Sequence, residues 1–511
     1  MVPTTVEVKS RADTGDTLSR PGIWCFTTYF AEGLPYTIIR TVSSVYFRDM
    51  RVSLESIGLT SFYSLPWILK FLWAPLVDQF GSRRGWLSVM QAVLCTLFLV
   101  AGFAAAQGTS GVSIIAFLFL VGAVAAATQD TAVDGYYMEA LDSRGQSRFV
   151  GYRVMAYRIA MMTGTGVIVS LAVRFGWAWG FWLSAALMGG MALYHQFFLP
   201  RCEEHRNSAL QLFTTMIKPM RLGGLVAMAG VVLSIRSFLV SPAYGRWQET
   251  VPVLSHFSFA SWTAIGLLCA VTTLALMRNR LKEYVLSRPD SFYTQAFLTF
   301  IDRKHIGLFL STIIFLRTGE FLLSAMVSPF MVDMGMKHHY GWLSGGLGLP
   351  CSIAGALVGG WLISRLSLKK VMWPFLLAQN LTNIIYMALA LSFTSLITAN
   401  IANQSGVSPG MWGIVSVAAV HGFDQFAGGL GTAVLMTLLM KISAGPNKTS
   451  HFAIGTGLMN VSGLFAGVAS GFLASWLGYG YFFGVSFLVS LPGMVFVVLL
   501  VGKPDFRESI G

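Results

Sequence analysis

Residues 65–86 read LPWILKFLWAPLVDQFGSRRGW, from Leu65 to Trp86. The first half is an apolar helix carrying Lys70 and two prolines, Pro66 and Pro75. The second half is a tight charged turn, Asp78, Gly81, Arg83, Arg84 and Gly85, after which a new apolar run begins. Lipid offers no partners to backbone N–H and C=O groups, so a segment crossing it must satisfy them internally and then turn back. Basic residues in short loops stay on the cytoplasmic side, which places Arg83 and Arg84 inside.

The rest of the composition agrees. The chain has 511 residues, 55% hydrophobic and only 11% charged, too apolar for a soluble enzyme of this size. Uncharged runs near the ~20 residues of a spanning helix recur along it. The net charge of +13 comes from 35 basic against 22 acidic residues. No basic stripe with interleaved aromatics is present, so nucleic acid is not an expected partner. Five scattered cysteines suggest neither a disulfide framework nor a metal site. The polar first twenty residues read as a cytoplasmic tail.

In chain order, helix one covers about 21–46, helix two 55–78, helix three 85–106, helix four 111–141, helix five the run through Arg153 and Arg158, and helix six 177–199. Arg48, Asp49 and Arg51 fall in the first outer loop. The connection 201–304 is basic at both ends and holds two further apolar runs, 222–240 and 260–277, read as inserted spanning helices despite Arg236. Segment 291–300 reads as a surface helix. The second half then repeats the first: Asp49-Met50 and Leu65-Pro66 have the spacing of Asp333-Met334 and Leu349-Pro350. GGWLISRLSLKK, with Arg365, Lys369 and Lys370, echoes the charged turn. Helices nine to twelve fall near 371–393, 411–441, 451–476 and 481–501, with 394–410 an uncharged outer loop.

The expected fold is therefore all-α and membrane-embedded, with about 14 spanning helices. It divides into a tail 1–20, a six-helix bundle 21–200, the connection 201–304, a second bundle 305–502 and a tail 503–511. Parallel repeats of this kind build a site near the bilayer midplane.

The Asp-Gly-basic turn between helices two and three resembles the signature loop of the major facilitator superfamily. KFLWAPLVDQFGSRRGW, ATQDTAVDGYYMEAL, LRTGEFLLS and FDQFAGGLGTAVLMTLLM are similar to segments of the AmpG-type muropeptide permeases. The resemblance covers most of the chain outside the insertion and tails. It implies a secondary active transporter, proton-coupled, importing anhydromuropeptides across a bacterial inner membrane for cell-wall recycling. The wider group includes acetyl-CoA and siderophore carriers, and a non-transporting sensor using the same pocket is a third reading. Coenzyme A carries several phosphates and would call for more cations than Lys70, Arg158 and Arg317.

A charge near the bilayer centre costs at least ~2.5–3.5 kcal/mol and needs a reason. Glu32, Arg158, Glu320 and Asp424 fall near mid-membrane, and Lys70 there or somewhat further in. Asp130 and Asp134, one turn apart, are candidates for proton coupling together with Asp424 and Glu320. Asp134, Glu139 or Asp142 alternatively pairs with Arg83 or Arg84. Arg158 and Lys70 are anchors for a ligand carboxylate, Arg158 alternatively bridging to Asp130. Arg317 and Glu320, at i and i+3, are placed to pair. Glu32, Gln129 and Gln425 complete the candidate substrate-binding set, and Asp78, Gly81, Arg83 and Arg84 the gating loop. His421 is a secondary titratable candidate. Trp67, Trp73, Tyr136 and Tyr137 either stack on a sugar or join an interfacial belt. No P-loop, catalytic triad or metal-ligand spacing is present, so we expect no enzyme, no cofactor and no metal, with an ion gradient as energy source. The expected partners are a small-molecule substrate, protons and the lipid bilayer; the expected state is a monomer with both termini cytoplasmic.

Overall fold

The structure is a computed structural model that describes residues 21–70, 73–200, 237, 241–250, 262, 283, 305–403, 406–442 and 448–503. The described residues form helices and no strands, and eight helical stretches are long and apolar enough to cross a membrane. The two inserted runs, the segment 291–300 and both charged tails lie outside the described residues, apart from the helix Pro242–Thr250 and a few isolated positions.

Helix α1 runs from Pro21–Thr37 through a π-helical turn, Ile38–Val42, into Ser43–Asp49. Helix α2 starts at Leu54–Leu59, tightens over Thr60–Ser64 and continues as Leu65–Leu69, with Ala74–Gln79 beyond. Then come α3 (Arg83–Ala105) and α4 (Val112–Ala140). Helix α5 is Ser143–Met162, a π turn Thr163–Ile168 and Val169–Phe175; α6 is Trp177–Phe198. In the second half, α7 is Ile306–Phe315 and Thr318–Asp333, broken at Arg317, and α8 is a π turn Gly341–Gly348 followed by Leu349–Leu366. Helix α9 is Leu368–Ser392 and α10 is Met411–Ile442. Helices α11 and α12 share the run Lys448–Val501, divided at Gly478, whose φ of 71° no helix continues through.

Within the first half α3 packs on α4 and α6, and α1 on α5; within the second, α8 packs on α10 and α7 on α11–α12. The apolar cores show how the halves meet. At the end carrying Asp49, one continuous core runs from Val42, Tyr46 and Phe181 to Phe330, Met334 and Phe483. At the end carrying Arg83, the core splits into separate clusters, Trp24, Tyr29, Leu87 and Tyr136 in one half and Leu376, Leu435, Leu439 and Val497 in the other. The halves are thus fused at the Asp49 end and parted at the Arg83 end.

Two expectations are corrected. Segment 394–410 is no open loop: Thr394–Asn403 is helical, and Asn400 is 2% exposed. The Asn400 amide donates to Asp333 O and Val407 O and accepts from Val407 N, so a residue expected outside is a buried clamp. Tyr136 and Tyr137 neither line a site nor join a belt; they pack edge-on against Trp24 and Tyr29 within the core.

Candidate functional site

The Asp49 end is closed by a crossed pair of ion bridges. Arg48 of α1 donates from Nε and Nη2 to the Asp333 carboxylate of α7 at 2.6–2.8 Å. Lys337, just past α7, bonds Asp49 of α1 at 2.9 Å. Asp49 and Asp333 are the repeat-related aspartates noted in the sequence, and each is held by a cation of the other half. Trp177 Nε1 also donates to Asp49, and Tyr479 Oη to Asp333. Behind this latch the helices meet backbone to backbone. A Cβ on Gly345 of α8 would stand 2.6 Å from Gly166 Cα of α5, and one on Gly471 of α11 would stand 2.3 Å from Leu54 O of α2. Only glycine fits such approaches.

Beneath the closure lies a cavity of about 790 Å³ lined from both halves. Tyr36, Trp67, Lys70 and Asp130 form one wall; His421, Asp424, Gln425 and Asn460 form the other. Trp67 meets Tyr36 edge-on at 5.1 Å, presenting an aromatic corner. Lys70 is bonded to Asp130, so the cation expected to anchor a ligand is held by the neighbouring carboxylate. Asp424 is 7% exposed and accepts from Gln425 Nε2 at 3.2 Å. His421 bonds Tyr386 Oη through Nδ1, while its buried Nε2 has no partner.

The remaining candidate residues sit apart from the lining. Glu320 is paired with Arg317 as the i, i+3 spacing suggests, and also accepts from Gln379 Nε2. Glu32 is 8% exposed beside Asp130, Asp134 and Arg153. Gln129 is fully buried and donates to Ala31 O at 2.7 Å, tying α4 to α1. Asp134 pairs not with Arg83 but with Arg153 at 2.8 Å, and Tyr29 Oη also donates to it. Arg158 has no carboxylate partner among the described residues; Met161 Sδ is its contact, and Asp130 is taken by Lys70.

At the charged turn Gly81 has φ 64°, the left-handed conformation its missing side chain permits. Arg83 bridges to Glu139 of α4 at 3.0 Å, across Gly135, where a Cβ would stand 1.7 Å from the guanidinium. Arg84 donates to Gln196 O of α6. Asp142 caps α5 at Gly145 N instead of joining these arginines. The side chain of Asp78 lies outside the described residues. The described ion pairs at this end stay within one half, whereas those at the Asp49 end join the two.

A family model described as Major Facilitator Superfamily matches residues 25–425. The chain belongs to that superfamily. It is a secondary transporter, not an enzyme. It is 24% identical to the anhydromuropeptide permease of Escherichia coli (strain K12) over 481 residues, 92% of this chain and 77% of the relative. An uncharacterized protein of Haemophilus influenzae is 24% identical over 93% of each chain. The resemblance to AmpG-type permeases read from four segments is thereby borne out. A crystal structure of a POT family transporter in complex with a thioalcohol-conjugated peptide superposes with a TM-score of 0.60, covering 95% of this chain and 96% of that one. At 13% identity the likeness is one of fold.

Proposed function

We propose that the protein imports anhydromuropeptides by proton symport, acting as a monomer in a bacterial inner membrane. The observation that carries this reading is the cavity: its volume lies within the range of ligand pockets, and its aromatic corner and opposed polar walls suit a sugar bearing carboxylates. The match to a relative named anhydromuropeptide permease supports the substrate class. Transport units of 21–200 and 305–502 around a connection at 201–304 suit the alternation of a parallel repeat.

Arg83 and Arg84 begin α3, Arg148 lies near the start of α5, and Lys369 and Lys370 lie at the start of α9, all helix ends on the open side. By the positive-inside rule that end and both termini face the cytoplasm, and the latched end faces out. The described conformation is then inward-facing.

Asp130 and Asp424, which line the cavity from opposite halves, are the proton-coupling carboxylates of this reading, with Lys70 and Gln425 on the substrate. Arg317–Glu320 supports the α7 break, and Arg83–Glu139 belongs to the cytoplasmic gate. Uptake of a labelled disaccharide anhydromuropeptide into cells tests the reading. Accumulation should collapse with an uncoupler. Asp130→Asn and Asp424→Asn should each abolish it, while at least one retains exchange without a gradient. Normal accumulation in both variants would remove these residues from the proton path.

A further inference from the structure

Three carboxyl groups, Glu32, Asp130 and Asp134, meet two cations, Lys70 and Arg153, among α1, α2, α4 and α5. Lys70 takes Asp130 and Arg153 takes Asp134. Glu32 is left over. It is buried, its Oε2 has no hydrogen-bond partner, and its carboxyl lies within bonding reach of Asp130. The charged and titratable groups facing it are Tyr29 of its own helix, Lys70 of α2, Asp130 and Asp134 of α4, and Arg153 and Tyr157 of α5. His195 of α6 is turned instead to Gln91 and Thr27. A buried charge without its own partner is strongly unfavourable, and adjacent carboxylates remove the conflict by holding one proton between them.

We propose that Glu32 and Asp130 share a single proton and that Lys70 sets how firmly they keep it. This rests on the proton-symport reading above and assigns Glu32, expected from sequence to touch substrate, to the proton instead. With Lys70 on Asp130, the proton sits on Glu32. An anionic group of the substrate draws the Lys70 ammonium away, and Asp130 then accepts the Glu32 O–H, so the pair retains the proton while substrate is bound. When the substrate leaves, Lys70 returns to Asp130 and the O–H···O bond breaks. The proton, now on Glu32 alone, is free to exchange with the cavity, given up on the side where substrate was released and regained when the cavity opens to the other. One proton enters and one leaves. By linkage, whatever makes substrate hold the proton makes the proton hold substrate by the same factor.

Infrared spectroscopy of the ligand-free, purified full-length protein reads the shared proton without any substrate. The carbonyl band of a protonated carboxyl should be present in the wild type, lost in Glu32→Gln, displaced in Asp130→Asn and retained in Glu32→Asp. A band unchanged in Glu32→Gln overturns the proposal. Membrane-inserted Glu32→Gln should lose uncoupler-sensitive accumulation of labelled disaccharide anhydromuropeptide, with Glu32→Asp restoring part of it; normal accumulation in Glu32→Gln also overturns it. Wild-type uptake indifferent to an uncoupler overturns the symport reading itself, whereas the band still decides where the proton sits.

Discussion

Asp333→Asn strikes the latch at its most buried point. The Asp333 side chain is 5% exposed and that of Arg48 12%, so neither is appreciably screened by water. The carboxylate accepts from two Arg48 nitrogens and from Tyr479. Removing one partner of a buried pair costs about 3–5 kcal/mol, because the other charge is stranded. The asparagine oxygen still accepts one bond, which brings the expected loss to about 2–3 kcal/mol. With the latch open Arg48 is hydrated, so nearly all of this loss falls on the latched state. At 1.4 kcal/mol per decade the balance should move roughly 30- to 140-fold toward opening at the Asp49 end. Spin labels at Gln107 and Met411, both exposed at that end, would report it by pulsed electron resonance as a longer distance population. Exchanging the charges, Arg48→Asp with Asp333→Arg, should restore part of the short population. A distribution in Asp333→Asn that matches the wild type would refute the latch.

Gly345→Ala should open the same end without altering any charge, since its Cβ meets the Gly166 backbone at 2.6 Å; the same label pair measures it. Trp67→Ala removes the aromatic corner of the cavity, and a stacking contribution of about 0.5–1.5 kcal/mol predicts a rise of roughly 2- to 12-fold in KM for the disaccharide. In a background without native cysteines, Trp412→Cys, at an 85% exposed position, should react with an impermeant thiol reagent from outside and Lys369→Cys only from the cytoplasm. Reaction of Lys369→Cys from outside would invert the topology.

Spanning helices were legible because lipid enforces long apolar runs, and the two-half plan because Asp49 and Asp333 recur at matching spacing. The Arg317–Glu320 pair followed from helical geometry alone. Pairings between helices did not follow. The sequence offers Arg158 as a ligand anchor or, alternatively, as a bridge to Asp130, and says nothing of Arg153, because helix rotation is set by packing that no single helix reveals. The latch does leave a signal in the sequence: each repeat-related aspartate has a basic residue within a few positions, Arg48 and Lys337. Arg48 reads as a loop charge, and nothing singles out Lys337, because their partners lie 285 and 288 residues away. The burial of Asn400 is hidden for a different reason, since an uncharged outer connection looks the same whether it is solvated or folded back as a clamp.

The π turn at Ile38–Val42 fixes the rotational phase of α1. A π turn absorbs one extra residue locally, so the flanking helix keeps the bearing it would have with one residue fewer. A wheel drawn at 3.6 residues per turn from Glu32 to Arg48 is therefore wrong by about 100° at its far end. Deleting one residue within 38–42 should straighten the turn yet leave Arg48 and Asp49 aimed at the other half. Deleting one residue from the regular stretch 43–47 should swing both by about 100° and unfasten the latch. In α1, chain length at this point carries information that no single side chain does.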